Sequence, residues 1–97
     1  MSVSLSTHVL DTGRGVPAAR VVVELYHEAE LVTTGETDDD GRIRELATDL
    51  PPGTYRLAFT TPSPFFRRVE LEVALDEGHY HVPLLVSPYS CASYRGS

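Results

Sequence analysis

Apolar residues recur at every second position along most of this chain, whereas the 3.6-residue spacing of an amphipathic helix is hard to find, so the pattern predicts strands. Val3, Leu5, Thr7 and Val9 share one face of a first strand, and Ser4, Ser6, His8 and Leu10 share the other. His8 therefore lies on the more polar face. Arg20 to Tyr26 is rich in β-branched residues and alternates Val21, Val23, Leu25 against Val22, Glu24, Tyr26, which suits a pleated, half-buried surface. The cleanest alternation is Val69, Leu71, Val73, Leu75 against Arg68, Glu70, Glu72, Ala74. The next strand sets Tyr80, Val82, Leu84, Val86 against His79, His81, Pro83, Leu85.

Turn-forming residues separate these runs. Asp11 to Pro17 reverses the chain, and Leu31 to Thr37 forms a third strand interrupted by Gly35. Asp40-Gly41 then reads as a hairpin turn, because Asp-Gly supplies the positive φ angles that tight hairpins need. Arg42 to Leu46 would be the short returning strand. Pro51-Pro52-Gly53 breaks the chain before Tyr55, Leu57 and Phe59. Thr61-Pro62-Ser63-Pro64 interrupts pairing again, since proline has no N–H to donate, and the following strand starts near Phe66. Ser87-Pro88 precedes a last short strand through Tyr94. Seven or eight short strands with little helix predict an all-β fold, a sandwich. The 97 residues are expected to form one domain, without repeat, linker or low-complexity tract.

Composition narrows the class. At 41% hydrophobic, with no apolar run near the roughly 20 residues of a membrane-spanning helix, the chain is expected to be soluble. Met1 to Ser6 lacks the basic start and apolar block of a secretory signal, and the single Cys91 cannot form an intramolecular disulfide. Both favour a cytoplasmic protein. The formal charge of −6, with Asp38-Asp39-Asp40 together, opposes binding to nucleic acid or to an anionic membrane. A small anionic ligand stays open, since local arginine and histidine can dominate a narrow site.

The candidate chemistry lies toward the end of the sequence. His79 and His81 project from the same strand face, as two metal ligands would, but His8, His27 and scattered carboxylates offer no diagnostic spacing for a third. Each histidine also fits a surface role, and His27, beside Glu28, is expected in an exposed loop. Arg42 suits either anion binding or pairing with an acidic neighbour of the turn. No glycine–serine–glycine elbow is present and Cys91 has no signature of activation, so covalent catalysis is not indicated. Histidines that titrate near neutral pH, arginines that bind oxygens, and a hydroxyl-bearing terminus suit hydrolysis by an activated water.

Ser6-Thr7-His8-Val9-Leu10-Asp11, Gly15-x-Pro17-Ala18, Asp40-Gly41-Arg42, His79 through Pro88 with its His-Tyr-His-Val-Pro-Leu-Leu core, and Tyr94-Arg95-Gly96-Ser97 together resemble the 5-hydroxyisourate hydrolases, the transthyretin-related family of purine catabolism. The resemblance spans the chain, and the terminal tetrapeptide is its most specific part. It implies a transthyretin-like antiparallel β-sandwich, a homotetramer with sites in the dimer–dimer channel, and 5-hydroxyisourate as the small-molecule substrate. It implies catalytic roles for His8, Arg42, His81 and Ser97, and substrate-binding roles for His8, Arg42, Tyr94, Arg95 and Gly96, placing the Tyr94 hydroxyl and Arg95 guanidinium near the histidines. No cofactor and no metal are implied. Thr61 to Pro64 departs from the family by replacing a short helix that most members carry, and Cys91-Ala92 stands where an aromatic or hydroxylated pair is more common. The alternatives are a transthyretin-like carrier of small ligands and a metal-binding protein using His79, His81 and His8.

Overall fold

The computed structural model describes residues 2–96. Nine strands follow one another: β1 (Val3–Asp11), β2 (Val16–Pro17), β3 (Val22–His27), β4 (Glu30–Glu36), β5 (Arg42–Leu50), β6 (Gly53–Thr60), β7 (Arg68–Leu75), β8 (Gly78–Ser87) and β9 (Ser90–Ser93). The seven or eight strands expected become nine because the two residues of β2, inside the expected turn, pair with Leu10 and Asp11. The strands form two sheets, which pack face to face. One runs β2-β1-β8-β9, with β5 sharing the β2 edge of β1; the other runs β4-β3-β6-β7. Among the described residues there is no helix, and none long and apolar enough to cross a membrane.

The core is the set of inward positions that the alternation marks. Val3, Leu5 and Val9 of β1, Val23 and Leu25 of β3, Tyr55, Leu57 and Phe59 of β6, and Val82, Leu84 and Val86 of β8 are all buried. Full burial of each large side chain is worth roughly 1.5–3 kcal/mol. Thr7 is buried among them because its hydroxyl donates to the Val82 carbonyl at 2.6 Å. β7 pairs with β6 over eight residues, from Thr60–Arg68 to Gly53–Leu75. The sandwich edge is thus complete although Thr61 to Pro64 forms a loop without helix, closed by a bond from the Thr61 hydroxyl to the Phe66 carbonyl.

Three expectations are corrected. Pairing is antiparallel except between β1 and β8, which run parallel from Val3–Gly78 to Asp11–Val86; a period-two pattern records faces, not direction. Asp40-Gly41 does not close a hairpin, because β4 pairs with β3 while β5 pairs with β1, so the turn carries the chain from one sheet to the other. Finally, β5 continues to Leu50. Its register against β1 passes from Thr7–Ile43 to Leu5–Ala47, so four steps of β5 match two of β1, a bulge that hides the alternation while Leu46 and Leu50 still reach the core.

Candidate active site

β1 is flanked by β5 on one side and β8 on the other, so its outward side chains face those of both neighbours. His8 pairs with Arg42 across β1–β5, Ser6 with His81 and Ser4 with His79 across β1–β8. All six occupy the outer face of the sheet, opposite the core. His8, Arg42 and His81, far apart in sequence, are thereby brought together.

The turn before β5 fixes two of them. Asp38 Oδ1 accepts the N–H groups of Asp40 at 2.9 Å and Arg42 at 3.0 Å, and the Arg42 N–H bond chiefly holds this carboxyl below its usual range. Gly41 has a φ of 75°, and a Cβ there would lie 2.4 Å from the Val9 carbonyl oxygen. Only glycine lets the turn seat on β1, where Val9 N–H donates to the Gly41 carbonyl at 2.7 Å. The Asp40 carbonyl then accepts a bond from His8 Nε2 at 2.9 Å. A carbonyl can only accept, so Nε2 carries the proton, and neutral His8 presents a bare Nδ1.

His81 is held from two sides. Its Nδ1 bonds the Ser6 hydroxyl at 2.8 Å, which leaves Nε2 as its second ring nitrogen for chemistry. Gly96 bridges to it: the Gly96 N–H donates to the His81 carbonyl at 2.7 Å, and a Cβ on Gly96 would fall 2.6 Å from the ring's Cδ2. The ring is half-buried. Burial first, then the charges of His8, Arg42 and His79, push its pKa below the ordinary histidine value, so it is mainly neutral at pH 7.

Ser6, Thr7, Arg42, Arg44 and His81 line a concavity of about 150 Å³. Arg44 was not singled out from sequence; its two-residue spacing from Arg42 on one strand face was the available signal. None of the ion pairs among the described residues involves Arg42 or Arg44, so pairing with an acidic neighbour does not account for Arg42. Asp39 instead pairs with Arg20 at 2.6 Å.

Other candidates lie elsewhere. Tyr94 and Arg95 do not join the histidines, contrary to expectation. They line a larger concavity of about 440 Å³ with Leu71, Val73 and Tyr80, where the Arg95 guanidinium sits 4.2 Å over the Tyr80 ring. Tyr80 is on the opposite face of β8 from His81, so that packing draws Arg95 away. Among the terminal residues described, Gly96 alone reaches the site; Ser97 lies outside the described residues. His27 is not in an exposed loop but ends β3, half-buried and stacked on Tyr55 at 4.4 Å. His79 has both ring nitrogens on serine hydroxyls, Ser4 at 2.7 Å and Ser6 at 2.8 Å. Among the described residues no three histidine, cysteine or carboxylate side chains converge to hold a metal ion.

The arrangement sets His8 and His81 on one sheet face with Arg42, and His81, Arg42 and Arg44 line a small polar hollow. It can take a proton from water and hold carbonyl oxygens. The model of the HIUase/Transthyretin family matches residues 5–96. A 5-hydroxyisourate hydrolase of Pseudomonas aeruginosa is 40% identical over 114 residues, covering 96% of this chain and 90% of that protein. Among solved structures, the Klebsiella pneumoniae 5-hydroxyisourate hydrolase superposes with a TM-score of 0.92 at 35% identity, over 98% of this chain and 99% of that one. Sea bream transthyretin, solved in complex with thyroxine, gives a TM-score of 0.85 at 30% identity, over 95% of this chain and 93% of that one. The sandwich, the site-bearing sheet face and these matches lead to one conclusion: the chain belongs to the HIUase/Transthyretin family.

Proposed function

We propose that this protein hydrolyses 5-hydroxyisourate to 2-oxo-4-hydroxy-4-carboxy-5-ureidoimidazoline in urate catabolism. The observation that carries this is the convergence of His8, Arg42 and His81 on one sheet face, in a chain similar to proteins named 5-hydroxyisourate hydrolase.

Water attacks a ring carbonyl as a bare imidazole nitrogen, Nε2 of His81 or Nδ1 of His8, takes its proton. A neutral His81 at pH 7 suits this role. Negative charge develops on the carbonyl oxygen, and fixed donors already aimed there lower the barrier. Arg42 supplies them, and its planar fork can hold two oxygens together. The carbon–nitrogen bond then breaks as the imidazolium returns its proton to the departing nitrogen. Carbonyl hydrolysis of this kind requires no redox cofactor and no metal. Gly96 holds the His81 ring from behind, while Ser97, Tyr94 and Arg95 are assigned supporting roles toward substrate by the family motif.

A hollow of about 150 Å³ is smaller than the roughly 300 Å³ at which small-molecule pockets begin. A second copy closing over this face would complete it, which supports a homotetramer with its sites in the dimer–dimer channel. Tyr94 and Arg95, directed away from the site of their own chain, would then have a partner copy within reach. Residues 1–97 act as one cytoplasmic domain in this account.

The second candidate, a carrier, rests on the likeness to transthyretin. Freshly generated 5-hydroxyisourate separates the two. A hydrolase accelerates its ultraviolet decay catalytically and yields the ring-opened product by NMR, whereas a carrier binds stoichiometrically and leaves the decay rate unchanged.

A further inference from the structure

His79 belongs to none of the roles above, yet it completes an unbroken row of hydrogen bonds along the β1–β8 pair. Ser4 Oγ bonds His79 Nδ1 at 2.7 Å, His79 Nε2 bonds Ser6 Oγ at 2.8 Å, and Ser6 Oγ bonds His81 Nδ1 at 2.8 Å. The parallel register makes this row: Ser4 lies opposite His79 and Ser6 opposite His81, so one serine sits between two imidazoles.

A serine hydroxyl has a single proton, so Ser6 donates to one imidazole and accepts from the other. Two arrangements satisfy both bonds. In the first, His81 Nδ1–H donates to Ser6 and Ser6 donates to His79 Nε2, which leaves His81 Nε2 bare. In the second, His79 Nε2–H donates to Ser6 and Ser6 donates to His81 Nδ1, which leaves the proton of neutral His81 on Nε2. Passing from the first to the second moves two protons along bonds already in place, from His81 Nδ1 to Ser6 and from Ser6 to His79 Nε2, while His81 Nε2 takes up a third from outside the row.

We infer that His79 is the proton store of the site, linked to His81 through Ser6. This rests on the hydrolase assignment and on His81 as its base. As water attacks, its proton goes to His81 Nε2, the Nδ1 proton passes to Ser6 Oγ, and the Ser6 proton passes to His79 Nε2. The positive charge then resides on His79, and His81 is neutral with its proton on Nε2. When the carbon–nitrogen bond breaks, Nε2 gives its proton to the nitrogen, Ser6 returns a proton to Nδ1, and His79 returns one to Ser6. Every proton is restored, so the cycle needs no outside donor.

The chemistry favours the outer ring as the place for the charge. His81 is half-buried, Arg44 lines the same hollow, and burial first, then the charges of His8, Arg42 and His79, lower its affinity for a proton. His79 is exposed, and with both ring nitrogens protonated its Nδ1–H can donate to the Ser4 hydroxyl 2.7 Å away. Water can solvate an imidazolium there.

His79→Gln tests this, because an amide can keep a bond to Ser6 but cannot take the proton. Single-turnover rates and their dependence on the deuterium fraction of the solvent are measured for parent, His79→Gln and Ser6→Ala, with folding checked by circular dichroism. The expected result is a fall of roughly tenfold or more in the rate for both variants, KM within twofold for His79→Gln, and a curved, multi-proton dependence in the parent that becomes linear in both. A merely structural role would leave the curvature in place. A linear dependence in the parent, or a folded His79→Gln with parental rate and curvature, overturns the store while leaving the hydrolase intact. A parent that does not accelerate substrate decay defeats the hydrolase assignment, and the store with it.

Discussion

Replacing Gly96 with alanine adds one methyl group, and the structure says where it goes. The new Cβ would stand 2.6 Å from Cδ2, 3.2 Å from Cγ and 3.3 Å from Cβ of His81. Carbon atoms settle at about 3.5–4.0 Å, so ring and methyl must separate by about 1 Å. The ring has little freedom to yield, since Ser6 holds Nδ1 at 2.8 Å and the Gly96 N–H holds the His81 carbonyl at 2.7 Å. Either the ring turns off its rotamer, at about 0.5–1.5 kcal/mol, or the Ser6 bond breaks at a similar cost. Stability should thus fall by only about 1 kcal/mol. Turnover should fall much further, by about 100-fold, because displacing a reacting group by about 1 Å has that effect on rate. Thermal melting and substrate decay on the same preparation read the two quantities. Gly96→Ala with kcat/KM within twofold of parent would refute the close approach as a constraint on His81, and unfolding would make Gly96 structural instead.

Arg42→Lys should reduce kcat/KM by tenfold or more despite the retained charge, because a point-like ammonium cannot hold two oxygens as a planar fork does; steady-state kinetics on the folded variant check it, and parental values would return Arg42 to a surface charge. The pKa of His81 is depressed, so the unfolded chain binds more protons than the folded one between that value and about 6.5. Stability is therefore full above pH 6.5 and declines as pH falls through that window, and the acid limb of the rate profile lies below 6.5. Arg42→Gln should raise the His81 pKa in an NMR titration by removing one of the positive neighbours; an unchanged value would contradict their influence. Activity should survive EDTA. Loss with the chelator and recovery with zinc would promote the metal-binding alternative.

Much of this was legible in the sequence because alternation reports burial directly. β1, β7 and β8 show their inward residues plainly, and the outward position of His8 and His81 follows from the same count. The bulge in β5 was not legible, since its extra residues between Ile43 and Ala47 break period two while Leu46 and Leu50 still reach the core. The direction of β8 against β1 was hidden for a different reason: no local pattern distinguishes parallel from antiparallel pairing. Ser6 between His79 and His81 depends on that register, so it could not be seen before the pairing was known. The terminal motif names residue types, and which of them meets His81 within one chain depends on packing that no local pattern reports. Gly96 makes its contribution by having no side chain, and Arg95 lies over the partly buried ring of Tyr80 rather than beside the histidines.

The central claim is that the face bearing His8, Arg42 and His81 performs hydrolysis. Its most direct test follows the ultraviolet decay of freshly generated 5-hydroxyisourate with no protein, with the parent chain and with His81→Gln at equal concentration. The account requires catalytic acceleration by the parent and, in a variant of unchanged circular dichroism and oligomer size, a loss of about 100-fold or more, the scale of general-base catalysis. A parent that leaves the decay unchanged, or a folded His81→Gln at the parental rate, would contradict it.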